Sequence, residues 1–277
     1  MISKKLQKLC CNFTLMKKIF LKLLVSISLL AQSQEKILVT KLNSQEIKAD
    51  SYIGEDVFGF HYFIKNNIFS KIKNNEIFEY KNVSLGEISK VDLQNPLKII
   101  LFYENFNTAI ILDNQLNEMN RINFSLQTKN IVAAALGNSS QNNLWVFNAT
   151  NQQIGLYNYL KKDYKDVSTP ISGNIKYYKT NNNVFYWIDQ KNYCYSCDIF
   201  GKIIALGKVP DFDQIQLVDN MIIIFKKNNS LYYYDLSHDK SDLLDLNEKS
   251  IADFYFKGQN LAIFTTEGIT NYKIKIP

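Results

Sequence analysis

The chain has 277 residues, 46% of them hydrophobic, so it is long enough to bury a sizeable core. Its net charge of +6 comes from residues 1–33, which hold six lysines and no acidic residue; the remainder carries 26 basic and 26 acidic side chains. This balance and the single arginine, Arg121, argue against a nucleic-acid-binding protein, because such proteins cluster Lys and Arg on one surface.

Residues 1–33 have the pattern of a secretory signal peptide. Lysines precede the apolar run Ile19–Ala31, and small residues stand three and one positions before Gln34. The run is shorter than the roughly 20 residues that a membrane-spanning helix needs. We predict cleavage between Ser33 and Gln34, with Met16 as the better start, and a mature domain of residues 34–277 that is periplasmic or outer-membrane-associated and has no transmembrane segment. An uncleaved anchor is the alternative.

A unit of about forty residues recurs six times after the leader. Runs rich in Ile, Val, Phe and Tyr alternate with Asn, Asp, Gly and Lys turns, which is typical of short strands. The clearest run is the second of each unit: Gly59–Ile64, Leu97–Tyr103, Leu144–Asn148, Val184–Ile188, Met221–Phe225 and Leu261–Phe264. Such continuous apolar runs suit strands that are buried on both faces.

The third strand of four units ends in Asp or Asn, whose side chains cap the backbone N–H groups of a turn. These residues are Asp113, Asn158, Asp198 and Asp235. The first strands are expected to start near Asp50, Glu87, Asn130, Asn174, Gln214 and Ile251. Residues 115–121 and 241–248 are compatible with short helical turns as well as strands.

An all-β repeat of this period predicts propeller blades. The last unit supplies only three strands, whereas Lys36–Leu42 stands alone before the first unit. If this segment pairs outside residues 269–276, it completes the last blade and protects its edge. We therefore predict an all-β, six-bladed β-propeller that is closed by pairing the N-terminal strand with the C-terminal blade; an open solenoid, a sandwich or another blade count are the alternatives.

The turn from Asp198 to Gly201 and Lys202 is similar to the Asp-x-x-Gly-Lys turns of six-bladed propellers. The repeat as a whole resembles the NHL-, YVTN- and TolB-like members of that superfamily. The resemblance implies the architecture over residues 36–277, but it implies no functional residue, because a propeller hosts many functions.

Few residues suit catalysis, so we predict no enzyme, no catalytic residue, no cofactor and no metal site. His61 lies in a predicted strand and His238 in a polar turn. Cys194 and Cys197 lie three apart on a strand, where they face opposite sides, so buried structural thiols are favoured over a disulfide or redox chemistry. Trp145 and Trp187 fall inside second strands and are expected to pack between blades.

Four carboxylates near the inner strands support a different interpretation. Asp50, Glu87, Asp213 and Asp253 would ring the channel of a metal-dependent or sugar-active enzyme if they faced it. Solvated strand starts are the simpler interpretation.

Phe106 and Phe212 each lie in a polar loop on the side of the ring that carries the loops between blades. An aromatic side chain held in such a loop suits a partner anchor. We therefore predict a non-catalytic exported platform that binds a protein partner in the cell envelope, as an accessory subunit of an outer-membrane assembly or secretion complex. Any membrane association would be peripheral, through that partner; sensing of a small ligand is a further alternative.

Overall fold

The structure is a computed structural model that describes residues 36–246, 248 and 250–275. These residues form antiparallel strands almost throughout, with single-turn 3-10 helices at Glu104–Phe106 and Phe124–Leu126. The first strand, β1, is Lys36–Gln45. The predicted signal peptide, its cleavage site and Met16 lie outside the described residues.

Four-stranded blades follow one another along the chain, each running from an inner to an outer strand. Blades 1 and 2 comprise β2 Ser51–Glu55, β3 His61–Lys65, β4 Ile68–Lys73, β5 Glu76–Lys81, β6 Lys90–Asp92, β7 Ile99–Tyr103, β8 Thr108–Leu112 and β9 Glu118–Asn123. Blades 3 and 4 comprise β10 Ala133–Asn138, β11 Asn143–Asn148, β12 Gln153–Asn158, β13 Asp163–Asp166, β14 Ile175–Thr180, β15 Val184–Asp189, β16 Tyr193–Asp198 and β17 Ile203–Lys208. Blades 5 and 6 comprise β18 Gln214–Leu217, β19 Ile222–Lys227, β20 Ser230–Asp235, β21 Lys240–Asp245, β22 Asp253–Lys257, β23 Asn260–Thr265 and β24 Gly268–Ile274.

Apolar side chains from neighbouring blades pack into a separate cluster at each of the six blade interfaces. Every residue of β7 and β8 is buried, because blades 1 and 3 cover both faces of blade 2. Trp145 is fully buried and donates its Nε1–H to the Asn181 carbonyl of the next blade at 2.8 Å. The predicted six-bladed, all-β propeller is confirmed.

The two ends of the described chain meet in blade 6. Strand β1 pairs antiparallel with β24, with Val39 opposite Ile274 and Gln45 opposite Ile269. In the sheet order β1 also neighbours β21, so the strands of blades 5 and 6 form one eight-stranded sheet. Blade 6 in turn packs on blade 1, where the Tyr52 and Phe264 rings stack with centroids 6.2 Å apart.

The turns after the third strands are capped as predicted. Asp198 Oδ1 accepts from the Phe200 and Lys202 N–H groups, and Asp113 Oδ1 accepts from two N–H groups of its own turn. Residues 115–121 and 241–248, for which helical turns were an alternative, contribute to strands β9 and β21 instead.

Candidate functional site

The ring has two sides that differ in their loops. Because successive strands are antiparallel, the loops between blades and the turns between second and third strands lie on one side, which we call the junction side. The remaining loops lie on the opposite side. Both predicted anchors, Phe106 and Phe212, lie in junction-side loops.

Phe106 belongs to a group of exposed apolar side chains around blade 2. Its side chain is 48% exposed, in the turn between β7 and β8. The loops before and after blade 2 present Val83, Leu126 and Val132, which are 84%, 81% and 47% exposed. We call these four residues the blade-2 patch.

Asn107 holds the segments of the blade-2 patch together. It adopts a left-handed conformation with φ of 47°, which Asn tolerates better than most residues. Its Nδ2 donates to the Ile131 carbonyl at 2.6 Å, and its Oδ1 accepts from the Ala133 N–H at 2.9 Å. The Phe106 ring lies against Gly86 in the loop before blade 2. These hydrogen bonds and the contact of Phe106 with Gly86 therefore fix the loops that carry the exposed apolar side chains relative to one another.

Phe212 is placed differently, in the loop between blades 4 and 5. Its ring is half-buried and packs against the apolar cluster between these blades. The Lys176 Nζ lies 4.0 Å from the ring centroid, so a cation covers one face. Phe212 thus offers less apolar surface than Phe106.

A channel runs between the inner strands and contains a cavity of about 740 Å³. Its charged lining groups are three lysines and three aspartates, and five tyrosines with apolar side chains form much of the remaining wall. The charged groups and the tyrosines are Lys90, Lys179, Lys257, Asp92, Asp219, Asp253, Tyr52, Tyr177, Tyr178, Tyr186 and Tyr255.

The four carboxylates considered from the sequence do not converge on the channel. Asp50 and Asp213 instead accept hydrogen bonds from the N–H groups of Asn66 and Asn228, at 2.6 and 2.9 Å. Glu87 is exposed in the loop before blade 2, and only Asp253 lines the cavity. Among the described residues, no group of three or more His, Cys, Asp or Glu side chains is placed to hold a metal ion.

Asp92 joins blades 2, 3 and 4 at the end of the channel opposite the junction side. Its Oδ2 accepts from the Asn138 N–H at 2.7 Å and from the Thr180 hydroxyl at 3.2 Å. A Cβ on Gly137 would collide with Thr180, so this position needs a glycine for the blades to approach each other. Asp92 therefore has a structural role.

Burial raises the pKa of Asp253 to about 6, whereas the hydrogen bond from the Phe254 N–H and the ammonium groups of Lys226 and Lys90 act to lower it. Burial also lowers the pKa of Lys90, while the Asp92 and Asp253 carboxylates oppose that change. The channel thus keeps two ionisable groups in surroundings that disfavour their charged forms.

The histidines and cysteines lie away from the channel lining. His61 Nδ1 is 3.1 Å from the Tyr52 hydroxyl, and burial lowers the pKa of its imidazole. His238 is an exposed turn residue whose Nδ1 lies 2.8 Å from Asp235 Oδ2. Cys194 and Cys197 are buried free thiols that enter the clusters on opposite faces of blade 4, and burial raises the pKa of each to about 12.

Sequence reasoning missed most of the blade-2 patch and the channel groups. Val83 and Leu126 carry the signal used for Phe106, a single apolar residue within a polar loop. Lys90 shows only as a lysine at the start of an inner strand, and nothing in the sequence places it beside the tyrosines of blade 4.

In the part of the chain that the structure describes, no helix has the length and apolar character to cross a membrane.

No protein-family model matches the chain, and no curated protein matches it. Among solved structures, a catalytically inactive variant of virginiamycin B lyase from Staphylococcus aureus with quinupristin is 14% identical; the match covers 86% of this chain and 99% of that chain, with a TM-score of 0.54. The propeller domain of Cps50 (Swd1) from Myceliophteria thermophila is 9% identical over 85% of this chain and 100% of that one, with a TM-score of 0.55. BBS1N in complex with ARL6DN is 10% identical over 84% and 78%, with a TM-score of 0.50. At these identities the likeness shows the propeller fold alone.

Proposed function

We propose that this chain is an exported, non-catalytic β-propeller that binds a protein partner in the cell envelope through the blade-2 patch. The observation that carries the proposal is the exposure of Val83, Phe106, Leu126 and Val132 on adjoining junction-side loops. Apolar side chains concentrated in this way are typical of protein contact sites.

The rigid base of the patch supports this function. Asn107 ties the Phe106 turn to the loop that carries Val132, so little conformational entropy is lost when a partner binds. We propose only a secondary contact with the partner for Phe212, because Lys176 already covers one face of its ring.

The envelope location rests on the pattern of residues 1–33, and assembly or secretion complexes are the proposed context. Of the structurally similar proteins, BBS1N is in complex with ARL6DN, whereas the lyase is a catalytically inactive variant of an enzyme with quinupristin. The dispersed carboxylates give a sugar-active or metal-dependent enzyme less support than the patch gives a binding protein.

Site-directed photocrosslinking in the native envelope tests the docking surface. A photoreactive amino acid at position 106 should capture a partner protein, whereas the same group at Phe200, which is 86% exposed on the opposite side, should not. Phe106→Ser combined with Leu126→Ser should reduce co-purification of that partner at least about tenfold, because hot-spot side chains carry most of the binding energy. Equal recovery with the double variant, or equal crosslinking at position 200, would contradict the proposal.

Export is tested separately by N-terminal sequencing of the protein isolated from the envelope fraction. The mature chain should begin at Gln34. Retention of Met16 or Met1 in a protein found in the cytoplasmic fraction would count against export without affecting the docking surface.

A further inference from the structure

Lys90 lies in the wall of the channel. Its Nζ lies 5.6 and 5.4 Å from the ring centroids of Tyr177 and Tyr178, and the described residues provide no hydrogen bond or ion pair to it. The side chain is exposed to the lumen, which residues from all six blades line. An ammonium group carries three donors, and a carboxylate is a strong acceptor for them.

Asp253 is the matching group on blade 6. Its Oδ1 accepts from the Phe254 N–H at 2.8 Å, and no ammonium group of the described residues lies within ion-pair distance of the carboxylate. Lys90 and Asp253 nevertheless affect each other's pKa electrostatically. The channel wall therefore carries a cation and an anion that do not form an ion pair with each other.

The other charged groups of the lining are occupied or peripheral. Lys179 Nζ donates to the carbonyls of Leu217 and Val218, at 2.6 and 2.9 Å. Asp219 Oδ1 accepts from two N–H groups of its own turn. Lys257 is exposed at the end of β22, on the rim. Asp92 accepts from the Asn138 N–H and the Thr180 hydroxyl. Among the described lining residues, Lys90 and Asp253 are therefore the charges that remain for a ligand inside the channel.

Strand β10 of blade 3 adds little to the cavity wall. Strand β10, Ala133–Asn138, contributes only Leu136 to the cavity lining, so Lys90 of blade 2 reaches the tyrosines of blade 4. The Tyr255 ring on blade 6 lies across Gly54, where a Cβ would come within 2.8 Å of it. The volume of about 740 Å³ is within the range of small-molecule sites.

We propose that the channel binds a small zwitterion, a free amino acid or close analogue, whose carboxylate contacts Lys90 and whose ammonium group contacts Asp253. The ligand's side chain packs against the tyrosine rings of the wall. This site is independent of the blade-2 patch, and neither proposal depends on the other.

The first test is a binding screen of the purified mature protein by saturation-transfer NMR and titration calorimetry. Each of the common amino acids is offered at up to about 10 mM, so that a Kd in the millimolar range is detected. At least one should bind. Its des-amino and decarboxylated analogues, such as 3-phenylpropionate and phenethylamine for phenylalanine, should each bind at least about tenfold more weakly.

Channel variants then assign the two contacts. Lys90→Met should abolish the preference for the amino acid over its decarboxylated analogue, and Asp253→Asn the preference over the des-amino analogue. Lys165→Met, at an exposed position on the outer strand β13 and outside the cavity lining, should leave the Kd unchanged, and circular dichroism should show that all three variants fold. The proposal is overturned if no amino acid binds, if the des-amino analogue binds equally well, or if both channel variants bind as the parent does.

Discussion

Single polar side chains organise this protein by hydrogen bonding, some within one turn and some between loops or blades. Asp198 and Asp113 cap turns, Asn107 connects two loops, and Asp92 joins three blades. Asp253 differs from these residues because the protein holds its carboxylate in surroundings that raise its pKa. A group kept in its less favourable charge state at neutral pH reduces stability, as functional sites commonly do.

Asp253→Asn should therefore stabilise the protein at pH 8. The folded pKa is raised from 3.8 to about 6, so the contribution of this carboxyl to stability is present below pH 3.8 and is lost as the pH rises through 6. Its removal should raise the free energy of unfolding at pH 8 by up to about 3 kcal/mol, since each pKa unit corresponds to about 1.4 kcal/mol.

Urea unfolding at pH 4 and pH 8 measures this effect, and the exposed Asp163→Asn is the matched control, expected to change little. A loss of stability at pH 8 in the Asp253→Asn variant would show that its carboxylate has a favourable partner in the folded protein.

Among the elements, β1 is the strand whose pairing spans the largest distance in sequence. It pairs with β24, and Ile37 is buried in the cluster between blades 5 and 6. Without β1 the edge of β24 and the apolar side chains of that cluster would be exposed to water.

Deletion of residues through Gln45 should destabilise the whole ring, because each blade is held by both of its neighbours. The melting temperature of the truncated protein should fall by about 10 °C or more, which for a chain of this size corresponds to a loss of several kcal/mol in the free energy of unfolding. Addition of a synthetic Lys36–Gln45 peptide should restore part of the loss, and a scrambled peptide should not. Unchanged melting after the deletion would mean that the pairing of β1 contributes no stability.

At the scale of the molecule, stability resides in the six clusters between blades, and ionisable side chains are buried beside them. Burial raises the pKa of Tyr177 and Tyr255 to about 12 from 10.0, and that of Cys194 and Cys197 to about 12 from 9.0. As the pH rises, these groups ionise at a lower pH in the unfolded chain than in the folded protein.

Stability should therefore be unaffected by these groups below pH 9 and should fall steeply between pH 9 and 12. Each such group loses about 1.4 kcal/mol per pH unit above its ordinary pKa. Chemical unfolding across this range should show a shallower fall for Tyr255→Phe than for Tyr193→Phe, whose ring is 41% exposed. A constant free energy of unfolding up to pH 11 would contradict this account.

The amino-acid sequence alone determined the class of fold, the period, the blade number and the capped turns. These features follow from interactions between residues that lie close in the chain, as with the Asp198 turn, or from a pattern that repeats every forty residues. Sequence also singled out Phe106, because an aromatic residue in a polar loop is visible in the sequence itself.

Which polar groups share the channel was decided only by the tertiary structure. Lys90, Tyr177 and Asp253 come from three blades and meet only because the ring closes; Asp50 and Asp213, at equivalent strand starts, cap turns instead. The direction of a side chain from an inner strand depends on blade twist and on the size of its neighbours, and these are properties of the packed ring.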